Sequence, residues 1–257
     1  MGAALAVKLF GAPLLIGLAS LAGRRWGPAL AGLVGGLPVI AGPIVAALWL
    51  ERGQPFAQAA ATALPGGLWA VSAHLCCFGL IGRRAGWAAG LLVGWCAFAA
   101  CAWGLSLTGL TRDPRSAASG LLALWLASRL LPQPRGPVPV LGLPRFELLA
   151  RMAAALGLVL GLTALAGRLG PALAGVWAVF PVAGSVLPAF TLARAGSEAM
   201  LAQLHGMLAG LSGLGLCFLI LSATMEPLGW FAFVPALIGA LAMGGGLLWW
   251  RQRGARQ

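Results

Sequence analysis

The chain has 257 residues, 60% of them hydrophobic, and its 39 glycines raise the apolar share far above the roughly 45–50% of a water-soluble domain. Charged residues make up 9%, against about 25% in such a domain, too few to cover a surface of this size. A soluble globular domain and a disordered chain are therefore excluded. The net charge of +12 comes from arginines set singly or in pairs between apolar runs, which reads as topology and anionic-lipid signals and argues against a nucleic-acid partner.

Apolar runs of 17–25 residues span about 30 Å of hydrocarbon, and in lipid they must be helices because the backbone has to satisfy its own hydrogen bonds. The first run, at about 5–22, has neither a clean basic n-region nor a cleavage-like site, so it is expected to be a span and not a signal peptide. Further spans are expected at about 28–50, 57–82, 86–108, 149–167, 171–193, 199–223 and 229–250, separated by short breaks marked by Arg, Gly or Pro. A shorter run, 116–131, carries Arg129 near its end. At 1.5 Å per residue it reaches about 24 Å, enough to cross if Arg129 snorkels to the headgroups.

The chain also repeats itself. GPALAGLVGGLPV from Gly27 returns as GPALAGVWAVFPV from Gly170, an offset of 143. Of the 27 positions from Gly27 to Gly53, ten are identical to their counterparts, where about three are expected from the composition. The match reaches backwards too, GLASLAGR from Gly17 answering GLTALAGR from Gly161. The expected fold is thus an all-α polytopic membrane protein of about nine transmembrane helices. A four-helix repeat over 1–110 and a second over 146–257 are joined by a linker, 111–145, that holds a short transmembrane helix. One linker crossing inverts the second unit. On that reading one face collects Arg24, Arg25, Arg83, Arg84, Arg129, Arg135, Arg145, Arg151, Arg194, Arg251, Arg253 and Arg256, and the other Lys8, Arg52, Arg112, Arg115 and Arg168. The first set is expected to be cytoplasmic and the N-terminus periplasmic, in a bacterial inner membrane.

The pattern AGL…LP followed by a charged turn, ERGQPFAQAA from Glu51 and ARAGSEAMLAQ from Ala193, resembles the small bacterial inner-membrane proteins of the GlpM type. The likeness covers mainly the first three helices of each unit, and Arg194 stands where the first copy has Glu51. It implies a fused antiparallel pair of such units, an inner-membrane location and a role near envelope or exopolysaccharide production. It brings no catalytic residues.

The second helix of each unit is where chemistry is expected. Gly35, Gly36, Pro38, Gly42 and Pro43 interrupt the first, and Pro181, Gly184, Ser185 and Pro188 the second. Proline removes a backbone donor, so both helices should break near mid-membrane. Interrupted helices at matching positions of inverted halves are the sequence mark of a transporter binding site. The expected substrate-binding residues are Gly35, Pro38, Gly42, Pro43, Pro181, Gly184 and Ser185, with the two histidines, His74 and His205, as polar groups within spans. Glu51, Asp113, Glu147, Glu198 and Glu226 fall at span ends or in loops, which argues against a carboxylate-driven proton pump. Cys76, Cys77, Cys96, Cys101 and Cys217 lie in apolar stretches without C-x-x-C spacing, so they read as small hydrophobes, and neither a metal nor a cofactor is expected. Motifs for hydrolysis or phosphoryl transfer are lacking, and an enzyme is not expected. The leading expectation is a small secondary transporter or permease for a small solute or lipid-like envelope precursor. The alternative is a non-transporting scaffold that assembles envelope biosynthesis proteins. Membrane lipids are partners in either case.

Overall fold

The computed structural model describes residues 3–108, 116–135, 138, 142–169 and 180–254. All regular structure among them is helical: α1 (Ala3–Trp26), α2 (Pro28–Gly36), α3 (Ala41–Arg52), α4 (Gln54–Ala63), α5 (Leu68–Thr108), α6 (Ser116–Leu130), α7 (Arg145–Leu169), α8 (Val182–Leu228) and α9 (Phe233–Gly254). By length and composition four runs can cross a membrane: Pro28–Arg52, Gln54–Leu107, Arg145–Ala164 and Val182–Arg251. Their outer faces carry exposed large hydrophobics such as Leu92, Trp103, Leu149, Phe231 and Ile238, more apolar surface than water would tolerate.

The two longest runs, 54 and 70 residues, exceed any single crossing, and glycines fold them back on themselves. Gly86 interrupts α5 at φ 85°, ψ 173°, and Gly196 interrupts α8 at φ 80°, ψ −176°. A side chain is all but forbidden in that backbone region. The reversal is visible in the packing: Gly90 lies against Gly82 across the first turn, and Leu187 and Met207, from either side of the second, both touch Gly35. Gly27, Gly53 and Gly229 turn the chain in the same way, all with positive φ. Gly23 lies against Ala31 across the first of these, and Gly213 against Ala240 across the last. Arg24 and Arg25, Arg52, Arg83 and Arg84, and Arg194 precede four of the turns, where cations stabilise the carbonyl ends of the outgoing helices. Pro28 and Pro55 then open the next helices at positions where a missing N–H costs nothing.

A side chain added at Gly196 would meet nothing within 4 Å, so its cost is purely conformational. Gly196→Val is expected to destabilise the protein by about 2 kcal/mol. Gly104→Ala, in a helix facing open space, should be neutral or mildly stabilising. Thermal unfolding of the detergent-purified variants measures both, and equal stability of Gly196→Val and the parent would refute the account.

The helix expected over 28–50 is two half-helices. α2 ends at Gly36, residues 37–40 leave the helix, and α3 starts at Ala41 with its first turn closed by Gly42 N–H donating to the Pro38 carbonyl at 2.9 Å. The helix expected over 57–82 is broken as well, by a 3-10 turn at Leu64–Gly67 that begins beside Pro65. That turn presents the Pro65 carbonyl to Gly120 of α6, in a contact too close for any side chain.

The tightest packing joins the two expected units. Gly32 and Gly36 of α2 lie against the Gln203 and Met207 carbonyls of α8, while Gly206 and Gly210 lie against the Ala29 and Leu33 carbonyls of α2. Two small-xxx-small faces thus bring the backbones into contact, the arrangement lipid-embedded helices use in place of a hydrophobic drive. Around this seam sits the main core, with Leu75, Phe78, Phe98, Leu124, Leu187, Met200 and Leu204 buried. A second core of Val45, Phe218, Leu221, Met225 and Ala236 closes the end nearer Gly53 and Gly229. There the Trp49 and Trp230 rings stack with centroids 4.3 Å apart.

Candidate functional site

Two buried polar groups stand out of the apolar packing. The first lies where the α2–α3 break meets the start of α8; the first part of the helix expected over 171–193, residues 171–179, lies outside the described residues. Phe180 and Pro181 are outside the helix and α8 begins at Val182, capped by the Ser185 N–H donating to the Pro181 carbonyl at 2.8 Å. Gly184 lacks a side chain, so the His74 ring of α5 comes against it and places Nε2 3.2 Å from the Gly184 carbonyl oxygen. The Ser185 hydroxyl accepts a hydrogen bond from the Trp95 indole N–H at 2.9 Å and lies 3.5 Å from the same Nε2. Gly35, at the end of α2, touches Ala183 and Leu187 one turn along.

Of the residues expected to bind substrate, then, the structure gathers Gly35, His74, Pro181, Gly184 and Ser185. Pro38 is buried at the α2–α3 break. Gly42 faces open space and Pro43 is exposed, because they lie on the outward side of α3. His205 belongs to a different place. Arg251 donates to its Nδ1 at 2.6 Å, which leaves Nε2–H to donate to the Pro132 carbonyl at 3.1 Å, so it ties α8 to α9 and to the end of α6.

The second group was not foreseen from the sequence. α1 and α7 run antiparallel, with Gly17 against Met152, and this brings the end of α1 beside the start of α7 and the Gly196 turn of α8. Glu147 and Arg151, one turn apart on α7, are both buried and paired through Oε1, at 3.1 Å from Nε and 2.5 Å from Nη2. Arg194 reaches over from α8 to put Nη1 2.6 Å from Glu147 Oε2, and its Nη2 donates to the Gly142 carbonyl at 3.3 Å. The Arg151 guanidinium also stands 5.4 Å from the centre of the Phe190 ring.

This network forms one wall of an open cleft whose other lining residues include Ser20, Arg24, Thr191 and Gln203. Among the described residues Gln203, 1% exposed, leaves Oε1 without a hydrogen-bond partner, and the buried Ser20 leaves its hydroxyl without one. A buried polar atom left unpaired costs about 1–3 kcal/mol. Arg24 has neither a hydrogen bond nor an ion pair among the described residues. Three guanidinium groups against one carboxylate leave the cleft with an excess of two positive charges.

Glu147 is expected at a span end or in a loop. It stands at a span end, but the neighbouring α1 and α8 cover it. The signal that could have drawn attention was the Glu147–Arg151 spacing, an i, i+4 pair with the acid first, the favourable order on a helix. The partnership with Arg194, 47 positions away, has no local signature. Among the described residues no group of three or more His, Cys, Asp or Glu is placed to hold a metal ion. No family model, curated protein or solved structure matches the chain.

Proposed function

We propose that this protein is a small secondary transporter built from two inverted four-helix repeats around a ninth crossing, working at the helix breaks. The observation that carries the reading is the pairing of two helix starts: Pro38 and Pro181 lie 143 positions apart, each just before one, with the second beside buried His74 and Ser185. Half-helix ends at mid-membrane supply unpaired backbone groups for a solute.

Further contacts support the inverted arrangement. Gly53 and Gly196 are 143 apart, as are Gly86 and Gly229, so four of the five turn glycines pair under the repeat. Within each pair the turns sit at opposite ends. Gly82, beside the Gly86 turn, touches Leu192, near the Gly196 turn, while Gln54, beside the Gly53 turn, donates to the Met225 carbonyl near Gly229. α6 supports the extra crossing: it starts with Gly120 against Pro65 and ends with Leu131 against Gly79, running beside α5 from its start to Gly79. Arg24, Arg135, Arg151, Arg194 and Arg251 gather at the end where Gly196 turns, which favours that end as cytoplasmic. A fused antiparallel pair of GlpM-like units has this plan, and an inner-membrane location goes with it.

A scaffold role is the second reading, favoured by the sealing of the mid-membrane group: His74 is 0% and Ser185 1% exposed. One experiment separates the two. In a Cys-free background, Ser185→Cys is expected to react with a membrane-impermeant thiol reagent from both faces of inverted and right-side-out vesicles, because alternating access opens the site each way in turn. Adding Pro38→Ala and Pro181→Ala should suppress labelling from at least one face. If Ser185→Cys is inserted stably and labels from neither face, the transport reading fails and the scaffold reading replaces it.

A further inference from the structure

The cleft at the arginine-rich end has the chemistry of a binding site that the helix breaks do not use. Arg151 commits its Nε and Nη2 to Glu147, and Arg194 divides its two terminal nitrogens between Glu147 and the Gly142 carbonyl. Arg24, which also lines the cleft, makes neither a hydrogen bond nor an ion pair among the described residues. Two of the cleft's lining residues, Ser20 and Gln203, each hold a buried polar atom with no hydrogen-bond partner among the described residues, the Ser20 hydroxyl and Gln203 Oε1.

We propose that this cleft binds a phosphate-type oxyanion that carries an O–H group, presented as a lipid headgroup or as a free solute. A fork of guanidinium N–H groups fits phosphate oxygens in a way an ammonium does not. The unprotonated oxygens accept from Arg24, from the outer edge of Arg194 and from the Ser20 hydroxyl. The remaining O–H donates to Gln203 Oε1, which a chloride ion or an ionised carboxylate has no hydrogen to satisfy. Cations are repelled by the excess of two positive charges. The mouth opens past Leu143 between Arg24 and Arg194, leaving room for whatever the phosphate is attached to. This names a substrate class for the transporter proposed above and rests on that reading for its passage across the membrane; the binding itself does not.

The test uses the full-length protein in a neutral detergent, with inorganic [32P]phosphate as the probe at constant ionic strength. Saturable binding is expected. Arg24→Gln and Gln203→Leu should each weaken it about tenfold, and Arg24→Lys by less, since it keeps the charge and loses the fork. Arg24 has no partner among the described residues to lose, so unchanged thermal stability in chloride shows that Arg24→Gln is folded. In a second arm, phosphatidic acid, whose phosphate monoester keeps an O–H, is added in nanodiscs otherwise made of phosphatidylcholine. Displacement of [32P]phosphate identifies the lipid headgroup as the source, and persistence of binding identifies a free solute; both support the proposal. Equal affinity of the parent and a folded Arg24→Gln for phosphate and for phosphatidic acid overturns it. Binding without two-sided labelling of Ser185→Cys removes the transport reading and leaves this site, and labelling without binding does the reverse.

Discussion

Glu147→Gln is expected to lower the unfolding temperature of the detergent-purified protein by about 10 °C or more. Glu147 is the only carboxylate among the cleft residues, and it compensates Arg151, whose side chain is 9% exposed, as well as the half-exposed Arg194. Removing one partner of a buried ion pair costs about 3–5 kcal/mol, because the other charge stays behind in a low-dielectric site. At about 2–4 °C per kcal/mol for a chain of this size, the fall is large. Arg194 can swing to solvent, so the penalty falls mainly on Arg151. The double variant Glu147→Leu/Arg151→Met should recover most of the loss, since a buried pair exchanged for packed apolar groups is often neutral or stabilising. A single variant as stable as the parent, or a double variant worse than the single, would show that the pair is not held as described.

Gly206→Ala should cost nearly as much, about 3 kcal/mol, by a different route. A methyl group there would run into the Ala29 carbonyl, and the obstacle is backbone that no rotamer change can move. The only relief is to lift α2 away from α8. That also parts Gly210 from Leu33 and Gly36 from Met207, where an added methyl would stand 2.5 Å from the Met207 carbonyl oxygen. Gly157→Ala, facing open space on α7, is the control and should gain up to about 1 kcal/mol from helix propensity. Denaturation of all three proteins in mixed micelles compares them directly, and a Gly206→Ala protein within error of the control would refute the close seam.

The helical class and most helix boundaries could be read from the sequence because they follow from local properties. Apolar run length sets the helices, and Arg, Gly and Pro mark the ends that Gly27, Gly53, Gly86 and Gly196 now occupy. The break at Pro38 was legible for the same reason, since proline acts on its own helix. The α2–α8 seam was half legible: Gly32 and Gly36, like Gly206 and Gly210, have the four-residue spacing of a close helix face, but spacing does not name the partner. The arginine cleft was hidden because burial is a tertiary property. Glu147 reads as an ordinary span-end charge until α1 and α8 are laid over it, and nothing local pairs it with Arg194. The two histidines illustrate the same limit, being alike in sequence context yet placed in unrelated networks, His74 at the helix breaks and His205 with Arg251.

The one-residue turns also shape how the molecule meets the outside world. At Gly53, Gly86 and Gly196 the chain passes from one helix to the next without an extended stretch, so the arginines beside these turns remain on helical backbone. A protease must draw several residues into an extended strand before it can cut, and an epitope tag needs a slack loop to be displayed. Neither finds a foothold at these places. Pairs of helices joined so tightly move as stiff two-armed units, so a large rearrangement in this protein must come from one such pair sliding or tilting against another.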